Sequence, residues 1–94
     1  MEENLKIGSR IFKKVEAFLP NQSRWRLDFD NKYSIELLKG FHSFSTDTTY
    51  EVIIVIKNDL YGCWSYQTEK DIENIIKLVE SNPPCDEYSQ SLLL

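Results

Sequence analysis

Glycine and proline are scarce in this 94-residue chain, three of each. That excludes collagen-like, Pro-rich and flexible-linker architectures. The glycines stand alone at Gly8, Gly40 and Gly62. No phosphate-cradling loop or dinucleotide fingerprint can be built from them. Histidine occurs once, at His42, and cysteine twice, at Cys63 and Cys85. Two cysteines make no disulfide framework, and with no CxxC pair they form no zinc signature. A reduced pair in the cytosol is expected. The start Met1-Glu2-Glu3-Asn4 lacks the positive charge and apolar run of a secretory leader. No apolar run reaches the ~20 residues that span a bilayer. A cytoplasmic location without membrane contact is therefore expected, with no metal and no cofactor.

What is present is an ordinary globular composition. Hydrophobic residues make up 41% and charged residues 28%, which argues against disorder of the whole chain. A chain this short buries only roughly 60–65% of its unfolded surface, so burial against a partner would add appreciably to its stability. The net charge is −4. An acidic chain is repelled by phosphate backbones and attracted to basic surfaces. The acids are concentrated late. Residues 1–32 hold seven basic residues against five acids; residues 33–94 hold four against ten.

Residues 4–19 read as an amphipathic helix. Leu5, Ile11, Phe12, Val15, Phe18 and Leu19 recur at near-helical spacing, and Lys6, Arg10, Lys13 and Lys14 supply a polar side. Pro20-Asn21 ends it. Residues 24–30 alternate: Trp25, Leu27 and Phe29 face one way, Arg24, Arg26, Asp28 and Asp30 the other. After the turn Asp30-Asn31-Lys32, Tyr33, Ile35 and Leu37 alternate again, giving a hairpin. This second strand is expected to run past a bulge at Gly40 toward Phe41 and Phe44. Tyr50 to Lys57 is the strongest strand signal, and Leu60 to Tyr66 follows as a fourth strand. Thr68-Glu69-Lys70-Asp71 opens a helix in the manner of a capping box. Ile72, Ile75, Ile76 and Val79 form its apolar stripe, and Ser81-Asn82-Pro83-Pro84 ends it. The order is α-β-β-β-β-α: an α+β fold with a four-stranded antiparallel sheet and two helices on one face. Residues 1–84 form one domain and 85–94 a tail carrying Leu92, Leu93 and Leu94.

That order loosely resembles double-stranded-RNA-binding domains, with one strand too many. Such domains grip phosphate with a basic cluster at the start of the last helix. Here that position is acidic, so nucleic acid is not the expected partner. Catalytic constellations fare no better. His42 has no nucleophile-elbow context with Ser43, Ser45 or Cys63. Asp28 and Asp30 alternate with Arg24 and Arg26, which reads as a self-neutralising strand surface.

Two features point to protein binding. Tyr61, Trp64 and Tyr66 crowd the fourth strand as candidate aromatic anchors. Ile53 and Val55 point away from the helix-covered face, an apolar centre rimmed by Glu36, Glu51, Arg26 and Lys57. Glu69, Asp71, Glu73, Glu80, Asp86 and Glu87 supply acidic steering charge. The expected function is non-enzymatic: stoichiometric binding to a protein with a basic surface. Immunity proteins of bacterial toxin systems and phage-encoded inhibitors of host defence are similar in size, charge and lack of catalytic residues. That class resemblance implies a neutraliser of a toxin nuclease or defence effector. The alternatives are an assembly subunit pairing its open sheet face as a homodimer, and a nucleic-acid-binding module.

Overall fold

The computed structural model describes residues 3–56 and 59–81, without the side chains of Leu60 and Tyr61. The tail 85–94, with Cys85, Asp86, Glu87 and the leucines, lies outside the described residues. Six strands run in chain order: β1 Leu5–Ile7, β2 Arg10–Val15, β3 Gln22–Asp28, β4 Tyr33–Gly40, β5 Tyr50–Ile56 and β6 Asp59–Gln67. A helix, α1 Glu69–Glu80, follows. Each strand pairs antiparallel with the next, so the sheet is a simple six-stranded meander. The expected four strands and two helices are thereby corrected to six strands and one helix among the described residues, still a mostly-sheet α+β arrangement.

The error lies in residues 4–19, which form β1 and β2 rather than a helix. Gly8 takes φ 60° and closes a two-residue turn with Ser9, pairing Ile7 with Arg10. Glycine at the first central position of such a loop is the hairpin-closing pattern. The hairpin also places Leu5 opposite Phe12. Leu5 and Phe12, seven apart, share a face in this hairpin as they would in a helix, whereas Ile11 and Val15 of the same apparent stripe fall on the other face. The second correction concerns Gly40, where β4 stops instead of bulging onward. Its φ of 102° turns the chain into a loop over 41–49.

The core lies between one sheet face and α1. Ile72, Ile75, Ile76 and Val79 meet Ile7, Phe12, Tyr33, Ile35, Leu37, Val52 and Ile54. Most are at or below 1% exposed, and each such side chain contributes about 1.5–3 kcal/mol by leaving water. The helix begins as its capping box requires: Asp71 N donates to Thr68 Oγ1 at 3.2 Å, and Thr68 N donates to Asp71 Oδ2 at 3.0 Å. Its far end is tied to the β3–β4 turn, where Asn31 Nδ2 donates to the Val79 carbonyl at 2.9 Å. Arg10 pairs with Glu80 beside it.

Strand β6 carries two irregularities. Ile54 pairs with Gly62 but Val55 with Leu60, leaving Tyr61 as an extra residue; a second lies between Trp64 and Gln67, where Tyr66 has φ 57°. Bulges add twist and bend a strand. The helix α1 touches both edge strands, β1 and β6.

Candidate partner-binding surface

Alternation sorts the sheet into a covered face and an open one. On the open face the pairings make three rows: Asp28, Ser34 and Val55; then Lys13, Arg26, Glu36, Ile53 and Cys63; then Val15, Arg24, Leu38 and Glu51; Ile11 pairs with Lys6 on the same face. Glu36 sits at the centre, 3% exposed. Arg24 grips it through Nε to Oε1 at 3.0 Å and Nη2 to Oε2 at 2.6 Å, and Arg26 Nη1 reaches Oε2 at 2.8 Å. Arg26 also donates to Asp28 Oδ1 at 2.8 Å and to Ser34 Oγ at 3.0 Å. The Ser34 hydroxyl donates to the same Asp28 oxygen at 2.6 Å. That hydroxyl, and then Arg26, hold the Asp28 carboxyl below its ordinary range. The arginines and Asp28 thus neutralise one another through Glu36, as the alternating sequence implies. Trp25 lies on the covered face, paired with Leu37 and under Lys14 Nζ at 4.9 Å, opposite the arginines as the alternation requires.

One end of the sheet gathers most of the exposed apolar bulk. The β2–β3 loop, the β4–β5 loop and the end of β6 meet there. Phe41 N donates to the Asn21 carbonyl at 2.9 Å, and Gln22 Nε2 donates to the Phe41 carbonyl at 2.9 Å. Tyr66 N donates to the Phe44 carbonyl at 2.9 Å, and the two rings meet edge-on at 6.3 Å. Phe18 carries Arg24 over its face at 4.3 Å. Phe18, Leu19, Phe41, Phe44 and Tyr66 are 59%, 41%, 51%, 57% and 53% exposed. Of the seven large hydrophobics so exposed among the described residues, these are five; Ile11 and Leu78 are elsewhere.

The backbone at this end enters the left-handed region. Asn21, His42 and Tyr66 have φ of 61°, 55° and 57°, and Gly40 has 102°. A non-glycine residue held there costs about 1–2 kcal/mol. Left-handed backbone is not confined to this end, since Lys32 in the β3–β4 turn has φ 75°, and asparagine and histidine enter that region more readily than most residues; Tyr66 is the costly one of the three. The rim has a small acidic excess: Glu16, Asp47 and Glu69 are exposed and Glu51 and Asp71 partly so, against Arg24 over Phe18, Lys39 beside Asp47, and Lys70.

The structure scatters the sequence-predicted residues. Tyr66, Glu69 and Asp71 come together at the loop end, although Asp71 is engaged in the helix cap. The Thr68 backbone N–H, then its hydroxyl, lower the Asp71 carboxyl. Ile53 and Val55 lie on the open face as expected, half-buried and 8% exposed respectively. Trp64 pairs with Val52 and packs against the core, so it is a core-edge residue and not a surface anchor. Glu73 lies alongside Gly8, and Glu80 is paired with Arg10, both on the helix side. The Tyr61 side chain, Lys57, Asp86 and Glu87 lie outside the described residues. Sequence reasoning missed Phe18, Leu19, Phe41 and Phe44. The available signal was an aromatic or leucine beside turn residues: Pro20-Asn21, Gly40, and Ser43 through Thr46.

Other chemistry is sparse. His42 meets Phe41 edge-on at 4.2 Å. The Ser43 hydroxyl donates to the Gly40 carbonyl at 2.8 Å. Burial, and then Glu51, push the Cys63 thiol up. Among the described residues no group of three metal-ligating side chains converges, and no helix is long and apolar enough to cross a membrane. No protein-family model, curated protein or solved structure matches the chain.

Proposed function

We propose that this chain is a non-enzymatic protein-binding domain that acts stoichiometrically, as a neutraliser of another protein, through the loop end of its sheet. The observation that carries this is the cluster Phe18, Leu19, Phe41, Phe44 and Tyr66, exposed together on loops hydrogen-bonded to one another. Exposed aromatics on a rigid scaffold are the composition of binding hot spots, because they bury much area at little entropic cost. The acidic excess of the rim favours a partner with a basic surface, such as the substrate-binding side of a nuclease. Of the acids read from the sequence, Glu69 and Asp71 serve this surface, while Glu73 and Glu80 do not.

Affinity capture from a native lysate tests the reading, with nuclease treatment and with a Phe41→Ser/Phe44→Ser/Tyr66→Ser variant alongside. The expected result is a near-stoichiometric protein that survives nuclease and is lost with the variant. Recovery of nucleic acid alone, or equal recovery by the variant, would overturn it.

A further inference from the structure

Two side chains at the start of β3 hold the loop end together. Gln22 is the outermost β3 residue paired with β4, opposite Gly40. Both ends of its amide are used. Oε1 accepts from the Phe18 N–H at 3.2 Å, and Nε2 donates to the Phe41 carbonyl at 2.9 Å. One side chain thus joins the β2–β3 loop to the β4–β5 loop at two residues whose rings are exposed. Arg24 lies two residues on, on the same side of the strand. Its Nε and Nη2 bind the buried Glu36 carboxylate. Its Nη1 donates to the Glu16 carbonyl at 2.9 Å, and its guanidinium covers the Phe18 ring at 4.3 Å. A planar fork with five donors meets an acid, a carbonyl and a ring together; the point charge of an ammonium does not.

We infer that Gln22 and Arg24 are the positioning residues of the loop-end surface: Gln22 sets Phe18 against Phe41, and Arg24 anchors the Phe18 segment to the buried Glu36. The inference rests on the reading of that end as the partner-binding surface. Neither residue has to touch the partner. Their effect is to order the rings before encounter, so that less freedom is lost on binding. The residue types fit the task. Bridging an N–H to a carbonyl requires a tip that both accepts and donates, which an amide has and a carboxylate lacks. Glutamate at position 22 therefore keeps the tie to Phe18 and drops the tie to Phe41. Lysine at position 24 gives up the Glu16 carbonyl or the Phe18 ring. It does not orphan Glu36, because Arg26 Nη1 still reaches that carboxylate at 2.8 Å. The two substitutions loosen different loops while the sheet stays folded.

Backbone amide relaxation by NMR on the free, full chain tests the positioning without any partner. In the unchanged chain both loops are expected near the rigid order parameter of about 0.85. Gln22→Glu lowers residues 41–45 toward about 0.6 and leaves Phe18 as it was. Arg24→Lys lowers residues 16–19 instead, and β4 and β5 are unchanged in both. Affinity for the protein captured by the unchanged chain is the second readout. Each variant weakens it about two- to ten-fold, the range of one neutral hydrogen bond. Phe41→Ala then costs less affinity in the Gln22→Glu background than alone, a coupling that a loss of stability would not produce. Loop order unchanged in both variants overturns the inference. So does full affinity with loosened loops, or strict additivity of Gln22→Glu with Phe41→Ala. Equal capture by the Phe41→Ser/Phe44→Ser/Tyr66→Ser variant overturns the partner-surface reading instead, and the free-chain order parameters tell the two failures apart.

Discussion

Gly40→Ala separates a loop end that is held rigidly from one that merely hangs off the sheet. Two costs add. An alanine at φ 102° is strained whatever the space around it, by at least the 1–2 kcal/mol typical of a left-handed residue. Its Cβ would also stand 2.6 Å from the Asn21 carbonyl oxygen. That atom is backbone and already accepts the Phe41 amide, so it cannot swing away. Moving it loosens a hydrogen bond that contributes about 1 kcal/mol. The sum is about 2–4 kcal/mol, which for a domain of this size lowers the Tm by roughly 10–25 °C. Thermal melting by circular dichroism, with urea titration for the free energy, measures it. Gly62→Ala is the control. There the nearest atom is the tip of the Trp64 ring, at 3.1 Å, and the reduced entropy of the unfolded chain offsets part of the crowding. Its expected loss is under about 1 kcal/mol. A Gly40→Ala loss no larger than that of Gly62→Ala would refute the reasoning.

Three further outcomes are expected. Glu36→Ala leaves two partly buried guanidinium groups without their shared carboxylate and destabilises by about 3–5 kcal/mol; Glu36→Gln, which can still accept from one arginine, costs less, and urea titration ranks the two. The Asp28 carboxyl is depressed in the folded state by Ser34 and Arg26, so its contribution is present above the ordinary carboxylate range near pH 4. That contribution fades as pH falls through the lower folded value; Asp28→Asn flattens this acid limb slightly in a melt series, since the side chain is 71% exposed. Cys63 is reachable but its thiol is pushed up by burial and Glu51. Iodoacetamide at pH 8 therefore alkylates it more slowly than a model thiol, and Glu51→Gln speeds the reaction.

Much of the fold was legible where one physical signal dominated. The alternation of Trp25 and Leu27 with Arg24 and Arg26 gave β3, and the β-branched run from Val52 to Ile56 gave β5. Thr68 and Asp71 placed the helix start because a capping box is a local arrangement, and Ile72, Ile75, Ile76 and Val79 bury as their spacing requires. The β1–β2 hairpin was not legible. Its strands are three and six residues long, too short for period 2 to outweigh a seven-residue coincidence. Trp64 was misplaced for a related reason: its side is fixed by pairing with Val52 across a bulged strand, information held by β5 and not by β6. The aromatics at 18, 41 and 44 read as parts of elements that end before them, Phe18 of a helix and Phe41 and Phe44 of a prolonged strand, because an apolar residue beside a turn extends a period as readily as it leaves one. Only the folded backbone shows that two loops far apart in sequence are joined through Asn21 and Phe41.

The central claim is that the loop end is the partner-binding surface. Hydrogen exchange on the complex with the captured protein, read by mass spectrometry against the free chain, tests it most directly. Slowed exchange confined to residues 16–21, 41–49 and 65–69 is the predicted footprint. Protection confined to the α1 segment, with 41–49 unchanged, would contradict it.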